Sequence, residues 1–210
     1  MEKKIIQSKR SFLNNIFFIE ICYFYSYIAL ISYRVYLKFM SISISYNNSF
    51  SKKNSTNLVL FVDEKFNIST LKKHIQSNEY RFISDLIKTK DSKKKILIFD
   101  LNSKKKIILV SFKNNISSSD VENLGAKFYE LIKNNTQTDY VVNSDTVSIK
   151  LNNIIGYFLH GLKLKSYLFE KYKTKKTKKN INIFVTGKNK PSLKDQIKFK
   201  SIEDGTFYTR

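Results

Sequence analysis

The sequence predicts an α/β domain, a mixed sheet with helices on both of its faces. Three observations lead there. Short apolar runs of strand length alternate along the chain with segments of helical periodicity. Two of these runs stand close enough to close a hairpin, which interrupts the alternation and makes the sheet mixed. The stretch from Leu151 to Lys173, LNNIIGYFLHGLKLKSYLFEKYK, is apolar nearly all round between Ile154 and Leu164, which marks a helix buried on more than one face.

The elements follow in order. Ser41 to Tyr46 alternates strictly, as a half-buried strand does, and Asn47 to Asn57 is polar loop. Leu58 to Val62, LVLFV, is a continuous apolar run and predicts a buried strand ended by Asp63-Glu64. Two helical segments follow, Ser69 to Ile75 and Glu79 to Lys88, the second with Tyr80, Ile83 and Ile87 on one face. Ile96 to Phe99 and Ile107 to Phe112 form the hairpin, joined through Asp100 to Lys106 with Asn102-Ser103 at its centre. Ser119-Asp120-Val121-Glu122 has the capping-box pattern, so a helix is expected from there to about Lys133, with Val121, Leu124, Phe128, Leu131 and Ile132 as its core stripe. Tyr140 to Val142 is a brief strand.

The central helix comes next. Leu151, Ile155, Phe158 and Leu162 recur at helical spacing, and Leu164, Leu168 and Tyr172 extend the stripe. Gly156 and Gly161 each cost about 1 kcal/mol against Ala in a helix, so they predict close approach of another backbone. Lys173 to Lys179 is a lysine-rich loop, and Ile181 to Val185 is the last strand. Gly187 to Pro191 is a turn, and Ser192 caps a final helix toward Tyr208.

Residues 1–39 read differently. Ile16 to Ser32 is largely apolar and near the lower limit of about 17 residues for a membrane span. Glu20 interrupts it, basic residues flank both sides, and no cleavage site follows. It is a membrane anchor, a buried helix, or upstream sequence translated ahead of the true start at Met40; the strand that begins just after Met40 favours the last.

Composition restricts the function classes. A chain of 210 residues suffices for a full hydrophobic core. Its net charge of +21, from 38 basic and 17 acidic residues, is of the kind that binds nucleic acid or anionic membranes. Lys, Asn, Ile and Ser are abundant while Ala, Gly and Pro are scarce, so lysine is also the default surface residue of a compositionally biased chain. The single Cys22 excludes an intramolecular disulfide and a multi-cysteine zinc site, and suits a reducing, cytoplasmic location. Asn67-Ile68-Ser69 is a chance glycosylation match in so Asn-rich a chain.

Three stretches carry a resemblance. They are Gly161 with Tyr167, Phe169, Lys171, Tyr172, Lys173 and Thr174; Glu122-Asn123-Leu124-Gly125-Ala126-Lys127; and Gly205-Thr206-Phe207-Tyr208-Thr209-Arg210. In this order they resemble the N-terminal domain of the leucyl (cytosol) aminopeptidases, over about residues 41–210. The resemblance implies a macro-domain-like fold over 40–187, a helical linker over 188–210, and a catalytic half beyond it. That half holds the family's two divalent metals, manganese or zinc, while the N-terminal domain supports it and contributes to assembly of the intact family's homo-hexamer. None of its metal ligands has a matching position here, so the resemblance implies a non-catalytic fragment with no cofactor of its own. Its partner would be the catalytic domain of the same enzyme, or a separate chain supplying it.

Other candidate sites are thin. Asp63-Glu64 reads as a solvated turn, and Asp120 and Glu122 as helix caps. His74 and His160 are the only histidines, and His160, with no partner ligand at helical spacing, reads as a satisfied core imidazole. Five glycines, none paired in a loop, do not make the phosphate cradle of an ADP-ribose-binding macro domain. Lys175, Lys176, Lys178 and Lys179 remain, preceded by Tyr167, Phe169 and Tyr172. They are the candidate contacts of the alternative function, a stand-alone basic module binding nucleic acid weakly and without sequence preference.

Overall fold

The structure, a computed structural model, describes residues 42–46, 57–89, 94–148, 151–167 and 180–209. Strands β1 (Ile42–Ser45), β2 (Asn57–Asp63), β3 (Ile96–Asn102), β4 (Lys105–Phe112), β5 (Asp139–Asn143) and β6 (Ile181–Thr186) form one sheet in the order β1-β6-β5-β2-β4-β3. All neighbours are parallel except the β3–β4 hairpin. The helices are α1 (Ser77–Thr89), α2 (Ser118–Ile132), α3 (Ile154–Lys165) and α4 (Leu193–Thr209), with short 3-10 turns at Ser69–Lys73 and Ser144–Thr146. The predicted mixed sheet with helices on both faces is what forms.

Alternation along the strands sends side chains to two cores. Val59, Phe61, Ile108, Val110, Phe112, Tyr140, Val142, Ile181, Ile183 and Val185 face α2 and α3. Leu60, Val62, Leu97, Phe99, Ile107 and Leu109 face the other way, with Leu71 of the first 3-10 turn and Ile83 of α1 over them. Strand β2 is buried on both faces, which is why it reads as an unbroken apolar run. Phe158 of α3 stands at the middle of the larger core, edge-on to Phe61 and tilted against Phe128.

Several expectations shift. The hairpin strands run further than expected, to Asn102 and from Lys105, leaving only Ser103 and Lys104 in the turn, with an irregularity between Asp100 and Asn102. Helix α2 is capped by Ser117, not Ser119: the Ser117 hydroxyl accepts from Asp120 N at 3.1 Å and donates to Asp120 Oδ2 at 2.8 Å. Leu131 is 45% exposed, and Tyr129 is buried in its place. Helix α3 begins at Ile154, because Asn153 takes a left-handed conformation (φ 59°) that turns the chain into it, so Leu151 lies outside the helix. Leu168 and Tyr172 lie outside the described residues.

The glycines of α3 act differently from one another. A Cβ on Gly161 would land on the Glu122 carbonyl of α2, and a Cβ on Gly125 of α2 would land on the Phe158 carbonyl and 2.9 Å from Leu162 N. The two helices therefore cross backbone to backbone, as Gly161 predicted. Gly156 instead makes room for side chains, the Asn153 amide and the Phe199 ring.

Candidate functional site

Open α/β sheets bind ligands outside the carboxyl ends of their strands, where successive connections leave in opposite directions. Here that point lies between β2 and β5, which pair only over Asn57–Val59 and Tyr140–Val142 and part beyond it. The chain fills the gap itself. Thr146 Oγ1 accepts from Phe61 N at 2.9 Å and donates to Asn143 O at 2.9 Å, replacing the missing ladder. The Asn143 amide reaches His74 Nδ1 at 3.0 Å, and its oxygen accepts from Asp145 N at 3.0 Å. The Asp145 carboxylate accepts from Lys188 N at 2.6 Å, pinning the turn after β6, where Gly187 (φ 99°) leaves no room for a side chain above Ser144. Ser144 is fully buried and its hydroxyl has no partner among the described residues, so these show His74, Ser144 and Asp145 in one neighbourhood without a nucleophile–base contact. The crevice is braced from within.

A second polar cluster lies where α4 docks on α3. His160 Nδ1 sits 3.0 Å from Glu203 Oε1, both buried, under the Phe199 ring. Phe199, Glu203 and Phe207, four residues apart, form the inward face of α4, with Phe199 edge-on to Tyr157 and Phe207 stacked on Tyr167. Lys163, buried beside them, donates from Nζ to Ile42 O at 2.8 Å and so ties α3 to β1. Burial holds its ammonium below the usual lysine range, opposed by the Glu203 carboxylate. Burial, reinforced by Glu203, pushes the Tyr46 phenol up to about 12. His160 is thus the satisfied core imidazole the sequence suggested. Glu203, Lys163 and Tyr46 were not foreseen; the signal was a carboxylate set midway between Phe199 and Phe207 at helical spacing.

The outward face of α4 is the third feature. Leu193, Ile197 and Tyr208 are 77%, 66% and 89% exposed, and no described residue stands within 4 Å of the place where a Cβ of Gly205 would be.

The residues singled out from sequence fall as follows. The Asp63 carboxylate accepts from Lys65 N and Asn67 N and builds the turn after β2. Asp120 belongs to the cap of α2. Lys175, Lys176, Lys178 and Lys179 lie outside the described residues, as does Ile16 to Ser32. Among the described residues, no helix is long and apolar enough to cross a membrane, and no group of three or more His, Cys, Asp or Glu is placed to hold a metal.

No protein-family model matches the chain, and no curated protein matches it in sequence. Among solved structures, a mutant of tomato leucine aminopeptidase is similar, with a TM-score of 0.59 and 14% identity over 79% of this chain. The match takes in 36% of that chain, so this chain spans about a third of the aminopeptidase. A macrodomain of Thermus aquaticus DarG matches over 70% of this chain and 98% of its own, with a TM-score of 0.46 and 10% identity. At these identities the likeness is one of fold.

Proposed function

We propose that the chain is a non-catalytic domain of the leucine-aminopeptidase type, which supports a catalytic half and contributes to its assembly. The observation that carries this reading is the extent of the structural match: most of this chain, against a third of an aminopeptidase. The three sequence stretches that resemble the family's N-terminal domain support it. So does the switch-point crevice, packed by Ser144 and Thr146 instead of standing open to a substrate. In this reading the two metals, manganese or zinc, belong to the catalytic half, supplied by the same enzyme or by a separate chain in a homo-hexameric assembly. The location is cytoplasmic.

Purified full-length chain is expected to leave aminoacyl amides intact with manganese, zinc or cobalt present. Metal-dependent turnover that survives rigorous purification would sink the proposal. Reading the coding DNA beyond Arg210 supplies the positive arm: a frame that runs into aspartate, glutamate and lysine metal-ligand motifs supports a divided enzyme.

A further inference from the structure

We propose that the outward face of α4 pairs with the same face of a second copy of this chain, antiparallel, about a two-fold axis at Ser201. The inward face is already committed to α3 through Phe199, Glu203 and Phe207. On the opposite side Leu193, Ile197, Ser201, Gly205 and Thr209 follow one another at four-residue intervals, a single ridge along the helix. Its first two members are large, apolar and exposed, its centre is small, and beyond the centre lies a glycine with open space above it.

That glycine is informative. The chain has five. Gly125, Gly156, Gly161 and Gly187 each have a neighbour that excludes a Cβ; Gly205 has none among the described residues, although glycine inside a helix destabilises it. The ridge is complementary to itself. When the i±4 ridges of two helices align, crossing at about 50°, a two-fold axis at Ser201 sets Ile197 of one copy over Gly205 of the other, and the reverse. Leu193 meets Thr209 in the same way. On the neighbouring row, Lys200 and Asp204, 2.6 Å apart within one helix, come beside Asp204 and Lys200 of the second copy, so unlike charges meet. A parallel pairing would stack Ile197 on Ile197 and leave a gap between two glycines. Every contact occurs twice, as an isologous interface requires. One pair of 17-residue helices falls below the roughly 1,200 Å² of a stable complex, so the dimer is weak and concentration-dependent. The face is a property of this chain and does not depend on the aminopeptidase-type reading.

Sedimentation velocity of the full-length chain over a hundred-fold concentration range is expected to show a monomer–dimer equilibrium. Ile197→Asp and Gly205→Leu should each weaken it at least tenfold, while Phe82→Ala, at an exposed apolar position on α1, leaves it unchanged. Orientation is read by cross-linking in a Cys22→Ser background. Ile197→Cys and Gly205→Cys proteins should form a disulfide dimer under mild oxidation when mixed, and neither should do so alone. A chain that stays monomeric throughout overturns the proposal. So does association indifferent to Ile197→Asp, which places the contact elsewhere, or cross-linking within either single variant, which makes the pairing parallel.

Discussion

Lys163 and Tyr46 show what burying an ionisable side chain does to a fold. Lys163 lies on an otherwise apolar helix and keeps its charge through one carbonyl and a nearby carboxylate, at a desolvation cost that depresses its pKa. As pH rises through that lowered value toward the ordinary lysine range, the cost is relieved and stability rises. Tyr46 acts in the opposite sense. Its folded pKa, about 12, exceeds the ordinary phenol value of 10.0, so its contribution is fully present below pH 10 and is lost as pH rises through 12, because the unfolded phenol ionises first. Tyr140, also raised by burial, adds to that loss. Urea midpoints measured at intervals from pH 10 to pH 12 should therefore fall in the parent relative to Tyr46→Phe, which has no phenol to ionise and shares the Lys163 contribution. Equal slopes would mean that Tyr46 is as solvated in the folded chain as in the unfolded one. Sequence reading identified His160 as a core residue because its helical neighbours are apolar. It did not identify Lys163 as one, because a lysine at the end of an apolar stripe reaches water in most helices. Here the Ile42 carbonyl on the adjacent strand accepts from it inside the fold, with the Glu203 carboxylate nearby.

The pair α2 and α3 is the part of the architecture most open to reading in advance, and its glycines explain why. A glycine in a helix is destabilising unless something occupies the space, so Gly161 announced a close partner, although not which one. The partner is the α2 backbone at Glu122, answered by Gly125 against Phe158. Gly161→Ala would drive a methyl into a carbonyl that cannot move without shifting the whole helix, and overpacking of this kind costs about 1–3 kcal/mol. Gly205→Ala, into open space on an exposed helix, should instead stabilise the monomer by about 0.5–1 kcal/mol. Urea denaturation of both variants, at concentrations below dimer formation, checks the contrast. Like signs would show that the two helices do not cross as closely as Gly161 requires. The start of α2 teaches the converse lesson. Ser117-x-x-Asp120 and Ser119-x-x-Glu122 both have the capping pattern, and the choice rests on what flanks them. A cap at Ser117 places Ile116 just before it and Val121 at the fourth helical position, the two places of a hydrophobic staple, and both residues lie in the same core cluster. A cap at Ser119 would have put Ser118 and Asn123 there.

For the molecule as a whole, fold class was legible and strand order was not. Local runs and periods reveal which segments are strands and helices, whereas the placing of β1 at one edge beside β6, with β5 inside, depends on pairings distant in sequence, Ile42 with Ile181 and Asn57 with Tyr140. Function is spread just as unevenly. The contacts that brace the crevice come from residues distant in sequence, His74 with Asn143 and Asp145 with Lys188, and no local motif marks them. Net charge has the opposite character: it is read without any structure, yet +21 does not say whether lysine was selected for a partner or is merely abundant. The salt dependence of DNA binding separates the two. Each lysine that neutralises a phosphate releases counterions, and log K falls against log salt with a slope of about −0.9 per contact on duplex DNA. If Lys175, Lys176, Lys178 and Lys179 form a site, replacing all four with Gln should lower affinity evenly across unrelated sequences and flatten the slope by about three to four. Lysine contacts to phosphate carry no base information, so discrimination between sequences that persists at high salt would contradict an electrostatic origin. A slope that four substitutions leave unchanged would mean that the contacts are scattered over the remaining basic surface. The charge would then reflect composition, and the nucleic-acid reading would fall.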